Sequence, residues 1–291
     1  TFLTALWVAE GWTSHFDELH CLRQGLIPAD AWGKRTAESL QKLLRTPGRH
    51  RQSIAEASLD AWIRLYRPDA DTPNRTVSYY LKGGLVALAL DLTLRVRSEG
   101  RHGLDDVLLA MWDDALAPGY EGYDDRAMGA FILRITGVDV TDALRAWVWS
   151  VGEPDWAEVF AHVGLELRVE LHPDAWGWEF QPGTRILRHL FTDRHPGLTA
   201  LAPGDEIVAV DGLRWEPGAR LPDRACGALQ SREVRFFRGA RLLCRWIPPP
   251  VAALPRVSLA FKADAPESAR LRWTRWTNQP WPLADAEPTP P

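Results

Sequence analysis

Cysteine is scarce in this chain. The three residues, Cys21, Cys226 and Cys244, form no CxxC pair. That excludes a disulfide-stapled scaffold and a cysteine-based zinc site, and leaves Cys226 with Cys244 as a pair for an oxidising compartment only. Lysine is nearly missing too, four against thirty arginines, a bias that points to the base composition of the source genome rather than to function. An excess of one charge is also absent. The net charge of −4 gives no general pull toward nucleic acid or an anionic membrane. No apolar run approaches the roughly eighteen residues that a membrane-crossing helix needs. The first residues have neither the basic segment nor the cleavage pattern of a secretory leader, and no initiator Met stands among them. The expectation is a segment of a longer protein.

What is present is ordinary globular composition. At 291 residues and 46% hydrophobic, the chain has material for one large or two medium domains. Its fifteen tryptophans are spread along the chain, which reads as core packing.

The stretch LWVAEGWTSHF stands out. It is almost wholly apolar or aromatic, and Glu10 is the first charged side chain in the sequence. An ionised carboxylate there is costly unless something neutralises it. Three readings follow: it reaches the surface, it pairs with an arginine or lysine, or it faces a metal. Residues 2–24 have helical spacing, and an interior glycine such as Gly11 costs a helix about 1 kcal/mol. Gly11 therefore predicts a bend or a close approach beside Glu10. His15 and His20 look like a zinc pair but stand five apart, roughly 140° around a helix. A zinc-binding helix needs them four apart, as in HExxH, and no HExxH occurs anywhere in the chain.

Further helices are expected at 28–44 and at 53–66, the latter with Ile54, Ala57, Ala61, Trp62 and Leu65 inward. A two-proline loop follows at 67–74. The segment SYYLKGGLVALALDLTLR reads as a buried helix reaching about Arg97. Tyr79 and Tyr80 at its start are either core aromatics or donors to developing negative charge. Asp105 and Asp106 suit the positive end of a helix through Trp112. Helices at 124–136, 139–149 and 153–163 complete an all-helical unit, 1–163.

The pattern then changes to period two at 165–171, with strands at 184–192 and 206–210 and a hairpin of 232–238 with 241–247. Residues 164–250 form a small, mainly β unit. The remaining 251–291 are a C-terminal extension with a strand at 257–262, a short helix near 266–276 and a proline-rich, disordered tail.

The order of AEGWTSHF, GRHRQSIAEASLDAW, YRPDADTPNRTVSYYLKG and GLDDV resembles the M61 glycyl aminopeptidase family of gluzincin metallopeptidases. The phrase APGDEIVAVDG resembles the core of a PDZ domain, with Gly177-Trp178-Glu179-Phe180 as the counterpart of its peptide-carboxylate loop. The resemblance implies an α+β multidomain fold. Its parts are the all-helical C-terminal half of a thermolysin-like catalytic domain and a small β-rich PDZ-like domain. It also implies zinc chemistry. Glu10 matches the third zinc ligand, Tyr80 the tyrosine that stabilises the tetrahedral oxyanion, with Tyr79 as the alternative. The two zinc histidines and the general base belong to an HExxH segment that this chain lacks. The implied partners are a peptide substrate and, at the PDZ-like unit, a peptide C-terminus. The rival expectation is a non-catalytic peptide-binding protein.

Overall fold

The computed structural model describes residues 3–69, 71–172, 177–191, 196–216, 231–248 and 254–282. The first element, Trp7–Trp12, winds as a π-helix and runs directly into α1 (Thr13–Arg23). α2 (Ala29–Arg45) follows, then a 3₁₀ turn (Pro47–His50), α3 (Ile54–Leu59) and the one-turn α4 (Thr72–Arg75). α3 starts at a capping box in which Ser53 and Glu56 satisfy each other's backbone N–H groups.

The centre of the helical part is α5 (Tyr79–Arg97). Ser78 caps it by accepting from the Leu81 N–H, and twelve of its residues are buried. An element apolar on all sides must be surrounded. The π-helix, α1, α2, α3, α6 (Leu104–Ala115) and α9 (Trp156–Ala161) all pack on it. α7 (Met128–Thr136) and α8 (Thr141–Trp147) close the layer beyond α6.

Eight strands follow: β1 (Leu165–His172), β2 (Trp178–Phe180), β3 (Leu187–Leu190), β4 (Glu206–Val210), β5 (Leu213–Arg214), β6 (Arg232–Arg238), β7 (Arg241–Ile247) and β8 (Leu254–Phe261). β1 does not pair with its sequence neighbours. It pairs antiparallel with β8, from Leu165↔Phe261 to His172↔Leu254. This ribbon lies on α2, where the Val257 N–H donates to Gln41 Oε1 at 3.1 Å. Leu165 and Val257 are buried in the helical core, as are Trp273 and Trp276 of α10 (Glu267–Thr277).

A separate core holds Leu187, Leu198, Ile207, Val210, Val234, Phe236 and Ile247. Its sheet runs β5-β4-β6-β7, with β2 and β3 as a second ribbon. Asp211 and Gly212 both have positive φ, as the tight turn between β4 and β5 requires. Buried Asp205 accepts from Arg238 Nε and Nη2, both at 2.8 Å, and ties the β4 turn to β6. The hairpin of β6 and β7 has the expected bounds. Residues 177–180, expected as a carboxylate loop, run into β2. Cys226 and the proline-rich tail from 283 onward lie outside the described residues.

One further expectation differs from what is found. α3 stops at Leu59 and continues as turns to Tyr66, so helical periodicity no longer directs its later residues. Trp62 faces outward, 63% exposed. His15, paired with His20 only by sequence, is buried against Asp91.

That carboxylate is the main polar tie of the helical core. Asp91 Oδ1 accepts from Arg95 Nε and the Leu104 N–H, both at 2.9 Å; Oδ2 accepts from Trp276 Nε1 at 2.7 Å and lies 3.3 Å from His15 Nε2. Arg95 also pairs with Asp105, which Arg23 meets in a bidentate pair at 2.6 and 2.9 Å. Asp105 is thus an ion-pair partner, and Asp106 Oδ2 caps the Gly103 N–H at 2.8 Å.

Candidate active site

Three glycines bring the π-helix and α5 together. A Cβ on Gly11 would lie 2.7 Å from the Gly83 carbonyl carbon, and one on Gly84 would lie 3.2 Å from Ser14 Cβ. At Gly83 the same atom would meet Gly11 Cα at 3.1 Å. Backbone therefore touches backbone, an approach that only glycine allows. The close contact expected beside Glu10 is this one. It fixes the N-terminal turn of α5, with Tyr79 and Tyr80, against the segment that carries Glu10.

The π-helical turn matters locally. One extra residue per hydrogen-bonded ring widens the helix, and such turns recur at functional sites. Glu10 sits within it, half-buried, with its carbonyl accepting from Ser14 Oγ at 2.8 Å. Its carboxylate meets no arginine, lysine or hydrogen-bond donor among the described residues. The nearby Trp7 indole donates instead to Asp125, at 3.3 Å. Of the three readings of Glu10, the ion pair is the one the described residues do not supply.

Tyr66, Tyr79 and Tyr80 converge beside it. The Tyr79 hydroxyl donates to Tyr66 Oη at 3.3 Å, and Tyr66 Oη lies 3.1 Å from Tyr80 Oη. The Tyr79 and Tyr80 rings stack at 4.7 Å. The Glu10 carboxylate acts electrostatically on Tyr66 and Tyr80. The hydrogen bond that Tyr80 gives to Tyr66, with burial and the Glu10 charge, pushes the Tyr80 phenol up to about 12. Burial, then its two phenol neighbours, push Tyr79 further in the same direction. Tyr66 moves the other way, because Tyr79 and Tyr80 donate to it. At neutral pH Tyr80 is therefore a protonated donor. Tyr66 was not singled out by the sequence. It closes a segment that reads as helix, and nothing in its spacing points to residues thirteen and fourteen positions on.

Beside Tyr80 opens a cavity of about 300 Å³, walled by Ser14, Glu18, Thr36, Lys42, Ser78 and Leu81, among others. Burial raises the Glu18 carboxyl from its usual range. On the other side of α5 the Lys82 side chain is fully buried, and its Nζ has no hydrogen-bond partner among the described residues. Burial lowers its pKa, although Glu153 works upward.

The donor set for a metal is partial. Among the described residues no group of three His, Cys, Asp or Glu side chains could hold an ion. Glu10 fits as one ligand, a carboxylate without a counter-charge. His15 is committed to Asp91.

The model of the M61 glycyl aminopeptidase family matches residues 2–86. No curated protein matches the chain. Among solved structures, the crystal structure of an aminopeptidase N family protein from Idiomarina loihiensis is similar, with a TM-score of 0.81 at 22% identity. The match covers 95% of this chain and 49% of that one, so the chain spans about half the length of that solved structure. At that identity the likeness is one of fold: a helical part followed by a small antiparallel β region.

Proposed function

We propose, from the match of the M61 glycyl aminopeptidase family model to residues 2–86, that this chain is part of a zinc-dependent aminopeptidase that removes N-terminal residues, glycine among them, from peptides. The observation that carries the reading is the Glu10 carboxylate: half-buried, without a cation or donor among the described residues, and set beside three phenols. Glu10 would be the third protein ligand of the metal. Two neutral histidines and the general base would come from an HExxH helix outside these 291 residues. Zinc, when bound to such a set, polarises the scissile carbonyl and acidifies a water.

The chain's own residues then have definite tasks. Tyr80 donates its hydroxyl proton toward the oxyanion that forms when the carbonyl becomes tetrahedral. Its raised pKa keeps that proton in place at the pH of reaction. Tyr79, buried and bonded to Tyr66, is the alternative donor and in this reading a support. The glycine contact holds Glu10 and Tyr80 at a fixed separation, which is the preorganisation such a donor needs. The cavity beside Tyr80 would take the peptide chain, with Ser14 and Ser78 as hydrogen-bonding walls. The exposed Trp62 and Ile63, next to Tyr66, offer an apolar face to the remainder of the catalytic domain. We group β1, β8 and α10 with this thermolysin-like helical unit, and take 177–248 as the PDZ-like unit.

The test is hydrolysis of amino-acid and peptide nitroanilides by a protein that joins this chain to its HExxH segment. Cleavage that a chelator abolishes and added zinc restores supports the reading; no cleavage in a zinc-loaded protein refutes it. A second reading rests on β7, an edge strand among the described residues that exposes Leu242 and Trp246. Such an edge can add the strand of a peptide. A peptide array on the full chain tests it, and no binding above background leaves that sheet without a capture role.

A further inference from the structure

We propose that the cavity beside Tyr80 continues over Lys42 into a second cleft, between α2 and the β2–β3 ribbon, where the exposed Lys42 and Arg188 receive the free C-terminal carboxylate of a short peptide substrate. The inference rests on the reading of the Tyr80 cavity as the peptide site and adds a substrate class to it. It starts from the periodicity of α2. Trp32, Thr36 and Ser39 stand three or four apart, so they share one face, and that face walls the Tyr80 cavity. Glu38 and Arg45 belong to the adjoining face, which walls a cleft of about 400 Å³. Lys42 lies where the two faces meet and lines both cavities. The far wall of the second cleft carries Glu179 of β2 and Arg188 of β3.

Charge decides what the cleft takes. Arg45 is committed: its Nε donates to the Pro255 carbonyl at 2.9 Å, and the Glu179 charge acts on it. Lys42 and Arg188 are exposed and enter no ion pair among the described residues. Three permanent cations thus face two carboxylates, Glu38 and Glu179, and the balance favours an anion. A peptide carboxylate suits both free cations, which are donors without acceptor capacity. Length selects the peptide. Ser39 and Arg45 are six residues apart, about 9 Å along the helix axis, which is the span of about three residues of extended chain. A peptide of about five residues with its scissile bond at Tyr80 therefore brings its C-terminus to the basic cleft.

The experiment titrates the full chain, by calorimetry, with glycyl-tetra-alanine as the free acid, as the C-terminal amide, and as an amide whose last residue is aspartate. The acid should bind about tenfold tighter than the plain amide, the worth of one charge-assisted contact. Lys42→Met and Arg188→Gln should each cut that ratio to about threefold or less. Lys262→Met, which removes a positive charge just after β8, should leave the ratio as it is. Equal binding of acid and plain amide overturns the proposal, and so does a ratio that survives both substitutions in the cleft. An aspartate-ended amide that binds like the acid overturns the assignment to a C-terminus. In the proposed parent enzyme the same preference should appear in KM for the pentapeptide and vanish for glycyl-alanine, which is too short to reach the cleft. A parent enzyme that cleaves no peptide refutes the aminopeptidase reading, and the titration still decides whether the cleft holds a carboxylate.

Discussion

Gly11→Ala tests the contact on which the site is built. Two effects compete. Alanine is favoured over glycine inside a helix by about 1 kcal/mol. Against that, the new methyl would sit 2.7 Å from the Gly83 carbonyl carbon and 2.8 Å from its Cα, both backbone atoms. Carbon atoms rest at about 3.5–4.0 Å, so the π-helix and α5 would have to part by about 1 Å. Overpacking of this kind costs about 1–3 kcal/mol, and here no flexible side chain can yield. The net expectation is a loss of up to about 2 kcal/mol. Gly83→Ala should be milder, since its methyl meets Gly11 Cα at 3.1 Å and the Trp7 carbonyl oxygen at 3.2 Å. Gly33, inside α2, is the control: nothing lies within 4 Å of its absent Cβ. There alanine should stabilise by about 0.5–1 kcal/mol. Urea unfolding of the three variants orders them Gly33→Ala above wild type above Gly83→Ala above Gly11→Ala. Gly11→Ala as stable as Gly33→Ala would refute the close-contact argument and with it the fixed spacing of Glu10 and Tyr80.

Three other outcomes follow from the same structure. Asp91→Ala should cost about 3–5 kcal/mol, because it leaves Arg95, Trp276 and His15 without their shared acceptor. Complete burial works upward on the Asp91 carboxyl, but His15, Arg95 and the Leu104 N–H hold it below the usual range. A depressed folded pKa stabilises above the unfolded value of about 3.9 and loses that contribution as pH falls toward the folded one. Acid unfolding should therefore steepen below about pH 4 in wild type and flatten in Asp91→Asn. Lys82→Met should raise stability at neutral pH by about 1–4 kcal/mol, since it removes a buried ammonium without a hydrogen-bond partner. The lowered Lys82 pKa imposes its full penalty below the folded value, and the penalty fades as pH rises toward the unfolded value of about 10.4. The gap between variant and wild type, read by urea midpoints, should narrow over that window. In the proposed parent enzyme, Tyr80→Phe should lower kcat by about 10²–10³ with KM little changed; a change in KM alone would make Tyr80 a binding residue.

The sequence speaks most clearly where a rule is local. The hairpin around Gly239 follows from alternation and a glycine turn, and α5 from an unbroken apolar run behind a serine cap. The glycine contact was legible as a cost at Gly11, though not its partner, seventy-two positions on. Long-range pairing left no such trace. Both β1 and β8 read as strands, but nothing in either names the other, and their ribbon is held from the helical side by α9 against β1 and α2 against β8. Trp62 was misplaced because a helical period was extended past Leu59, where the chain becomes turns. At the site, Glu10 was conspicuous as a charge in apolar surroundings, and Tyr80 through its motif. Tyr66 lacked both signals. Its place is set by the loop that follows it, which folds it back onto the start of α5.

The central claim is that Glu10 is a zinc ligand, and the direct measurement is metal content together with turnover in the proposed parent enzyme carrying Glu10→Gln. The amide keeps the shape of the carboxylate and removes its charge. The account predicts that zinc falls well below one equivalent per chain after dialysis, that nitroanilide hydrolysis falls with it, and that the folded structure persists. Full zinc and full rate in that variant would contradict it.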